Sequence, residues 1–466
     1  MKSRLAALLI ALAATVAMLS AQAGARQVAL VITNAIVVTE DPARRVIQDG
    51  AVAVDGTDIV GVDTSDVIKR QFQGRDTIDA KGQIVMPGLI NTHTHAPMVL
   101  FRGLADDLAL TDWLNKYIFP AESKMVSPEF VRAGTRLAAL EMIESGTTTF
   151  ADMYYFEEEV AKETKAAGLR GVLGQTIIQF PVADAKTPAD ALTRAEAFIK
   201  SFRGDPLITP AVAPHAMYTL DGPTLKAARD LSKRYDVPTL IHLAETRDEL
   251  RAAQERFKGS PVAYLDSLGF LGPGVLAAHG VWVSDAEIAL LKSRGVGVSH
   301  NPESNMKLAS GTAPVTAYLR ADVAIGLGTD GAASNNDLDM FEAMRMASLL
   351  HKLQTFDPQA VSAKTAIEMA TIRGARALGM DKQIGSLEPG KRADLIIVNM
   401  DRARATPMYD PLSHLVYVTH GDDVATTIVN GKILMRDRKV LTLDESAVLK
   451  DARSWADKVR AAVKLN

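Results

Sequence analysis

The chain has 466 residues, of which 47% are hydrophobic and 23% are charged, with a formal net charge of −3 and no cysteine. This length and composition are typical of a globular protein with a large core and room for an accessory domain. The nearly balanced charge gives no reason to expect nucleic acid or an anionic membrane as a partner. The lack of cysteine excludes disulfides, cysteine-ligated zinc and a cysteine nucleophile.

Residues 1–25 have the pattern of a cleavable secretory signal. Lys2 and Arg4 precede the apolar run 5–19, and small residues with A-x-A spacing follow it. Cleavage after Ala23 or Ala25 fits this pattern. An uncleaved anchor is the alternative, but the run is shorter than the ~20 residues that a bilayer span prefers. We therefore expect an exported protein, periplasmic or secreted, with no membrane contact after cleavage.

Both ends of the mature chain are rich in short β-type runs separated by polar turns. The runs are 28–32, 35–39, 50–54 and 58–62 near the N-terminus, and 393–398 and 424–432 near the C-terminus. The N-terminal runs predict a small antiparallel sheet. We predict that the two ends meet in one discontinuous β-sandwich domain, residues 26–86 and 386–441, followed by a C-terminal helix over 442–466.

Between these ends, eight strand-like apolar runs alternate with segments of helical composition. The runs are 88–95, 147–153, 170–179, 208–216, 238–245, 275–282, 295–302 and 323–331. Alternating β and α units predict a parallel sheet, and eight units predict a closed (β/α)8 TIM-like barrel over residues 87–385. An open doubly wound sheet is the alternative, but no glycine-rich nucleotide turn follows any of the runs.

Residues that can bind metal lie at the ends of most of the predicted strands, where barrel enzymes carry their active sites. In chain order they are His93 and His95, His215, His242 and Glu245, His279, His300 and Asp330. Six of the nine histidines are in this set. One such histidine alone is more often structural, but convergence on a single rim favours a functional site.

His93 and His95 are two residues apart on an extended run, so both imidazoles project to one face and can reach one metal ion. With His242 and Asp330 they offer three nitrogens and one carboxylate and leave a position open for water, which suits Zn2+ or a similar divalent metal. A two-metal site needs a bridging ligand, often a modified lysine on the fourth strand, but 208–216 contains no lysine. We therefore expect one divalent metal ion.

Several longer motifs accompany these residues. They are PGLINTHTH (87–95), FPAE (119–122), APHAMYT (213–219), HLAET (242–246), AHG (278–280), SHNPESNMKL (299–308), GTDGAASNN (328–336) and GSLEPGKRADL (385–395). With them the chain resembles the amidohydrolase superfamily, and within it the branch of 5-methylthioadenosine/S-adenosylhomocysteine deaminases, which are relatives of the triazine hydrolases.

The resemblance implies a role for each candidate residue. His93, His95, His242 and Asp330 would hold the metal, Glu245 would be the proton shuttle, and His279 would orient the attacking water. Asp330 would also accept the proton of that water. Glu122 and His215 would contact the ribose hydroxyls and the substrate edge, and Trp113 is a candidate lid residue. His300 is a further substrate-binding candidate, with positioning of a neighbouring group as its alternative role.

The implied reaction is hydrolytic deamination of an adenine-type nucleoside, such as 5'-methylthioadenosine or adenosine, with release of ammonia. S-adenosylhomocysteine is less expected, because the loop 175–184 lacks the arginines that such deaminases place after the third strand. The alternatives are a hydrolase of another amino- or chloro-substituted heteroaromatic ring (a triazine, a pterin or a guanine-like base) and a non-catalytic periplasmic binding protein. Homo-oligomers are common among soluble enzymes, so one is possible here.

Overall fold

A computed structural model describes residues 25–463 of the chain. All but the last residue of the predicted signal segment lies outside the described residues. Within 25–463, no helix combines the length and the apolar composition needed to cross a membrane.

In chain order the strands are β1 (Arg26–Val38), β2 (Val46–Asp55), β3 (Asp58–Thr64), β4 (Phe72–Asp79), β5 (Ile84–Pro87), β6 (Leu89–Thr94), β7 (Thr147–Tyr154), β8 (Arg170–Ile177), β9 (Ile208–Pro214), β10 (Thr239–Leu243), β11 (Val275–His279), β12 (Gly297–His300), β13 (Ala324–Leu327), β14 (Leu395–Val398), β15 (Val424–Val429), β16 (Lys432–Arg436) and β17 (Lys439–Val440).

Strands β6 to β13 lie side by side in sequence order as a parallel barrel, which confirms the predicted fold. Each predicted run corresponds to one strand, and seven of the eight runs extend beyond the carboxyl end of their strand, where the residues of the rim begin; β7 instead ends at Tyr154, one residue beyond the run 147–153. β7 and β8 are buried along their whole length, as expected for a parallel sheet covered by helices.

The barrel closes between its last and first strands through side-chain and loop contacts. Thr92 Oγ1 donates a hydrogen bond of 2.8 Å to the Leu327 carbonyl. Just beyond the end of β13, the Asp330 N–H donates to the His93 carbonyl at 2.9 Å. The closure therefore brings Asp330 against the first strand, beside His93.

Helices cover the barrel and connect its strands. Several begin as their sequences suggest, with a Ser, Thr or Asp cap and a proline at the first or second helical position, as at Ser127, Thr187 and Asp221. The α-helices are Ser65–Gln71, Leu110–Asp112, Phe119–Met125, Pro128–Glu144, Glu157–Ala167, Pro188–Phe202, Gly222–Tyr235, Arg247–Phe257, Pro261–Ser267, Asp285–Arg294, Pro302–Lys307, Val315–Arg320, Met340–Thr355, Ala363–Ala370, Ile372–Ala377, Pro411–Tyr417 and Glu445–Val463. Three short 3-10 helices and a π-helical turn complete the described elements: Ala96–Phe101, Ala403–Ala405, Gly421–Asp423 and the π-turn Trp113–Ile118.

The remaining nine strands, from both ends of the chain, are hydrogen-bonded into one sheet beside the barrel. The two ends join where β5 and β14 pair antiparallel, with Pro87 opposite Leu395. The sheet is mixed and not purely antiparallel, because β1 pairs parallel with β4 and β5. The helix Ser65–Gln71 connects β3 to β4 and so allows β4 to run parallel to β1.

The predicted runs 28–32 and 35–39 are parts of one strand, β1. The pairing of β1 with β2 shifts in register between Ile32 and Ala35, and Asn34 between them has a φ of 56°. An asparagine with positive φ is typical of a turn, but here it forms an irregularity within a strand.

A buried ion pair connects the barrel to the terminal sheet. Arg170 at the start of β8 donates to both carboxylate oxygens of Asp394, at 2.8 and 3.2 Å. The side chains of Arg170 and Asp394 are only 3% and 2% exposed. The Asn430 N–H donates to the same carboxylate at 2.6 Å. Because both charges are removed from water, each depends on the other for compensation.

We expect Asp394→Ala to lower the free energy of unfolding by about 3–5 kcal/mol, because it leaves the Arg170 charge buried and unpaired. Urea denaturation of the purified variant measures the change. The matched control is Asp55→Ala, which breaks the exposed pair with Arg26, at 2.9 Å, and is expected to cost less than about 1 kcal/mol. Equal unfolding midpoints for the two variants would contradict this role.

Candidate metal and catalytic site

The predicted metal ligands meet at the carboxyl end of the barrel. The ring nitrogens of His93, His95 and His242 lie within 4.8 Å of one another, and the ligating atoms of His93, His279 and Asp330 form a second such group. The His95 and His242 Nε2 atoms are 3.4 Å apart. Asp330 Oδ1 lies 3.4 Å from His93 Nε2 and 3.3 Å from His95 Nε2. These spacings match a tetrahedral zinc site, in which ligands at ~2.0–2.1 Å from the ion are about 3.3 Å from each other.

The hydrogen bonds of the ligands present their Nε2 atoms to this centre. His95 Nδ1 is 2.7 Å from the Met153 carbonyl, and His242 Nδ1 is 2.9 Å from the His215 carbonyl. A backbone carbonyl only accepts, so each Nδ1 carries a proton and each Nε2 is the nitrogen that can offer a lone pair to a metal. His93 Nε2 is buried and has no hydrogen-bond partner among residues 25–463. The donor set therefore fits a divalent metal ion.

The electrostatics of the cluster also favour a bound cation. Burial lowers the pKa of His93 to about 4. Burial opposes the charged form of His95 too, but the hydrogen bond and charge of Asp330 outweigh it and raise the pKa of His95 to about 9. The same contacts with His93 and His95 hold the pKa of Asp330 well below its usual range, despite burial. A carboxylate charge buried among imidazoles thus attracts a positive charge, which a metal ion can supply.

Glu245 and His279 lie beside the metal ligands with their reactive atoms close together. His279 Nε2 is 3.7 Å from Glu245 Oε2 and 4.0 Å from Asp330 Oδ2. Burial raises the pKa of Glu245, so its carboxyl group can hold a proton. Glu249 fixes the backbone at this point, because its carboxylate accepts from the N–H groups of Ala244 and Glu245 at 3.0 and 2.8 Å. The three acid–base groups Glu245, His279 and Asp330 therefore face one small volume.

The backbone at this rim is strained. Ala244, His279 and Asp330 all have positive φ, of 51°, 74° and 63°. A residue other than glycine in this region costs of order 1–3 kcal/mol, and such residues concentrate at functional sites. His279 and Asp330 are themselves acid–base residues of the site, and Ala244 immediately precedes Glu245.

The predicted substrate residues Glu122, Trp113 and His215 line the same pocket, a cavity of about 60 Å3. Tyr154 donates to Glu122 Oε1 at 2.8 Å, and burial raises the pKa of Glu122 to about 7. Trp113 begins the π-helical turn, and its Nε1–H is buried without a partner in the described residues. The ring of His215 packs against that of His242, with centroids 4.8 Å apart. Burial lowers the pKa of His215 to about 3.

His300 does not belong to this group, and its predicted contact with substrate is not supported by its position. It does not line the pocket; it is fully buried, and its Nε2 lies 3.0 Å from Nε2 of His351 on the helix Met340–Thr355. Side chains alternate across a strand, so His300, next to the inward-facing Ser299, turns to the helix layer. A position at the end of a barrel strand does not by itself decide which face a side chain takes.

The sequence interpretation missed several residues around the pocket. Tyr154, Tyr155, Thr176, Tyr218 and Leu308 all line it. Tyr218 and Leu308 lie in the quoted motifs APHAMYT and SHNPESNMKL, which is the one signal that pointed to them. Tyr154 is the last residue of β7 and Tyr155 follows it, and this strand carries no metal-ligand motif, so composition alone could not distinguish the two tyrosines from core residues.

The pocket opens towards a larger cleft of about 490 Å3. Leu110, Leu114, Phe119 and Tyr218 line both cavities. The cleft adds the residues Phe180, Leu220, Asp221, Asp248 and Arg256, among others. A ligand whose reacting ring lies beside Glu245 can therefore extend a substituent over a mainly apolar wall.

Comparisons with known proteins agree with this site. The chain is 45% identical over 418 residues to 5-methylthioadenosine/S-adenosylhomocysteine deaminase 1 of Syntrophus aciditrophicus, covering 90% of this chain and 94% of that protein. It is 46% identical over 436 residues to the 5'-deoxyadenosine deaminase of Methanosarcina mazei, covering 93% and 99%. The crystal structure of an adenosine deaminase from Xanthomonas campestris with bound zinc superposes with a TM-score of 0.92 at 40% identity, covering 94% of this chain and 100% of that one.

The family model described as "Amidohydrolase family" matches residues 84–434, which include the whole barrel and every residue of the candidate site. The chain therefore belongs to the amidohydrolase family.

Proposed function

We propose that this protein is a zinc-dependent hydrolase that deaminates an adenine-type nucleoside and releases ammonia. The observation that carries the proposal is the convergence of Glu245, His279 and Asp330 on one volume beside three histidine nitrogens. It occurs in a chain 45–46% identical over about nine-tenths of its length to proteins named as deaminases of adenine nucleosides.

His93, His95, His242 and Asp330 would hold the metal, for which their spacing and free lone pairs are suited. When bound, the ion supplies Lewis-acid activation of water, bringing its pKa from about 15.7 to about 7. The charge of the ion would also be balanced by the Asp330 carboxylate, which is ionised in its buried position.

The chain's own residues perform the proton transfers. Asp330 accepts the proton of the attacking water, and His279 orients that water with Nε2, which lies between the two carboxylates. Glu245 delivers a proton to the ring nitrogen next to the carbon under attack. As the carbon–nitrogen bond breaks, the proton held by Asp330 passes to the amino group, which leaves as ammonia. The proton of the new hydroxyl group returns to Glu245, so the ring carbon becomes a carbonyl and both carboxyl groups are regenerated.

Glu122 and Trp113 are the residues that we assign to substrate recognition, with His215 at the substrate edge. Glu122 keeps an acceptor oxygen for a ribose hydroxyl beside its bond from Tyr154, and Trp113 Nε1–H is free to donate in the described structure. A hydroxyl that pairs with a buried carboxylate discriminates strongly, since a ligand without it leaves the buried group unpaired.

The cleft would receive the group at the 5' position of the substrate, so the residues that line it decide which groups are accepted. Its wall is mainly apolar, and the acidic residues among those that line it are Asp221, Asp248 and Glu249. Arg256, on an exposed face of the helix Arg247–Phe257, is the one basic residue among those that line it. This composition favours a small apolar substituent over one that carries a carboxylate.

The two alternatives explain less of the site. A binding protein has no use for a buried carboxyl group of raised pKa beside a water-orienting histidine. A hydrolase of a triazine, pterin or guanine-like base would use the same metal ligands, but it gives no role to Glu122, buried with an acceptor for a hydroxyl. The nucleoside is therefore the substrate that accounts for most of the pocket.

We also propose that the protein is exported. The charged start, apolar run 5–19 and small residues before Ala25 support this, although they lie outside the described structure. Assembly as a homo-oligomer likewise remains a prediction.

We expect 5'-methylthioadenosine and 5'-deoxyadenosine to be deaminated with higher kcat/KM than S-adenosylhomocysteine, and free adenine to be a poor substrate because it lacks a ribose for Glu122. Ammonia release from these compounds, adenosine, guanine and a chlorotriazine measures the order. Arg256→Ala should lower kcat/KM for S-adenosylhomocysteine alone. Hydrolysis of the triazine or guanine without turnover of any adenine nucleoside would overturn the proposed substrate class.

We expect Glu245→Gln to lower kcat by at least about 10²–10⁴-fold, because the amide cannot deliver a proton. Zinc content, measured by atomic absorption, should stay at the wild-type level, since Glu245 is not a ligand in the proposed site. The control is Glu255→Gln, an exposed position on the following helix, which should behave as wild type. Wild-type turnover by Glu245→Gln would exclude this residue as the proton shuttle.

We expect N-terminal sequencing of the mature protein to begin at Gly24 or Arg26, in material recovered from the periplasm or the medium. The physical reason is that the small residues before these positions fit the cleavage pocket of a signal peptidase. A chain recovered from the cytoplasm with residues 1–25 intact would contradict export.

A further inference from the structure

One short segment, from Ser304 to Ser310, touches all three acid–base groups of the site. Ser304 Oγ donates to Asp330 Oδ2 at 2.7 Å. Asn305 Oδ1 lies 2.9 Å from His279 Nδ1, and Ser310 Oγ donates to Glu245 Oε1 at 3.3 Å. Every side chain in these three contacts is buried. We infer that this segment is a common positioning element, which sets the relative orientation of Glu245, His279 and Asp330.

Each contact involves one atom of the partner's side chain and not the atom that faces the other groups of the site. Ser304 holds Oδ2 of Asp330 and thereby fixes the carboxylate plane, with Oδ1 directed at His93 and His95. Asn305 Oδ1 can only accept, so it binds the Nδ1 side of the His279 ring and leaves Nε2 facing the pocket. Ser310 binds Oε1 of Glu245, which leaves Oε2 as the oxygen nearest His279.

Hydrogen bonds and packing hold the backbone of this segment in place. It consists of the end of the helix Pro302–Lys307 and a turn, in which the Ser310 N–H donates to the Asn305 carbonyl at 2.9 Å. Trp282 Nε1–H donates to the Ser310 carbonyl at 2.7 Å and fixes the turn from outside. Gly311 follows with a φ of +127°, and a Cβ there would lie 2.9 Å from the Trp282 ring. The three polar side chains are thus held at fixed separations.

The inference rests on the proposed deaminase function for its kinetic test. We expect Ser304→Ala, Asn305→Ala and Ser310→Ala each to lower kcat by about 10–100-fold, the usual effect of removing a group that orients a metal-site residue. KM should change by less than about threefold, because none of the three residues lines the pocket. Ser304→Thr and Ser310→Thr keep the hydroxyl and should recover most of the loss. Met306→Ala, on the same helix but 39% exposed, is the matched control and should keep wild-type kinetics.

A double-mutant cycle separates positioning from a general loss of structure. If Ser310 acts through Glu245, adding Ser310→Ala to Glu245→Gln should cause no further fall in kcat, since the two residues act as one unit. A merely structural role predicts that the two losses multiply, and this result would overturn the inference. Ser310→Cys, nearly the same shape with a weak donor, serves if the alanine variant does not fold, and should show the same loss.

Zinc binding provides a readout that is independent of turnover. Ser304→Ala should weaken zinc binding by about 10-fold or more in competition with a chelator, whereas Ser310→Ala should leave it unchanged. Equal zinc affinities in wild type, Ser304→Ala and Ser310→Ala would contradict the assignment for Ser304. If the wild-type protein released no ammonia from any nucleoside or heterocycle, the proposed function would fail, and the zinc measurement would still decide the role of Ser304.

Discussion

The contact of Asp330 with the first barrel strand is the interaction on which the site depends. Its N–H donates to the His93 carbonyl, and its carboxylate lies 3.3–3.4 Å from the Nε2 atoms of His93 and His95. The same seam closes the barrel, so the metal ligands converge only when the eighth strand has reached the first. Folding and metal binding are thereby linked, because a cation that binds the converged ligands favours the closed barrel.

The rest of the fold supports a rim whose own geometry is unfavourable. Positive φ at Ala244, His279 and Asp330, together with buried carboxyl groups, costs free energy that contacts elsewhere must offset. The eight buried strands supply most of that stability, and the Arg170–Asp394 pair holds the opposite end of β8 to the terminal sheet. Substitutions far from the acid–base residues can therefore alter the site by weakening the packing of the barrel and the terminal sheet.

The sequence predicted the barrel because alternating strands and helices leave a periodic pattern, whereas the roles of the candidate ligands came from the resemblance to a family. Apolar runs recur at a regular spacing, and His93, His95, His242 and Asp330 lie at or near the carboxyl ends of the strands that these runs form. Features that depend on tertiary packing could not be found in this way. The orientation of His300 towards His351 depends on strand alternation, and the irregularity at Asn34 resembles a turn in the sequence. The roles of Ser304 and Ser310 depend on contacts with residues 26 and 65 positions away along the chain.

The ligand set also fits the compartment that the N-terminal segment suggests. Soft thiolate ligands are oxidised or paired into disulfides outside the cytoplasm, whereas imidazole and carboxylate are not. The chain has no cysteine, and every group proposed to hold the metal or move a proton is a histidine, an aspartate or a glutamate. Such a site needs no reducing environment to remain intact. A deaminase built in this way can act on nucleosides outside the cytoplasm, provided that zinc is bound where the chain folds.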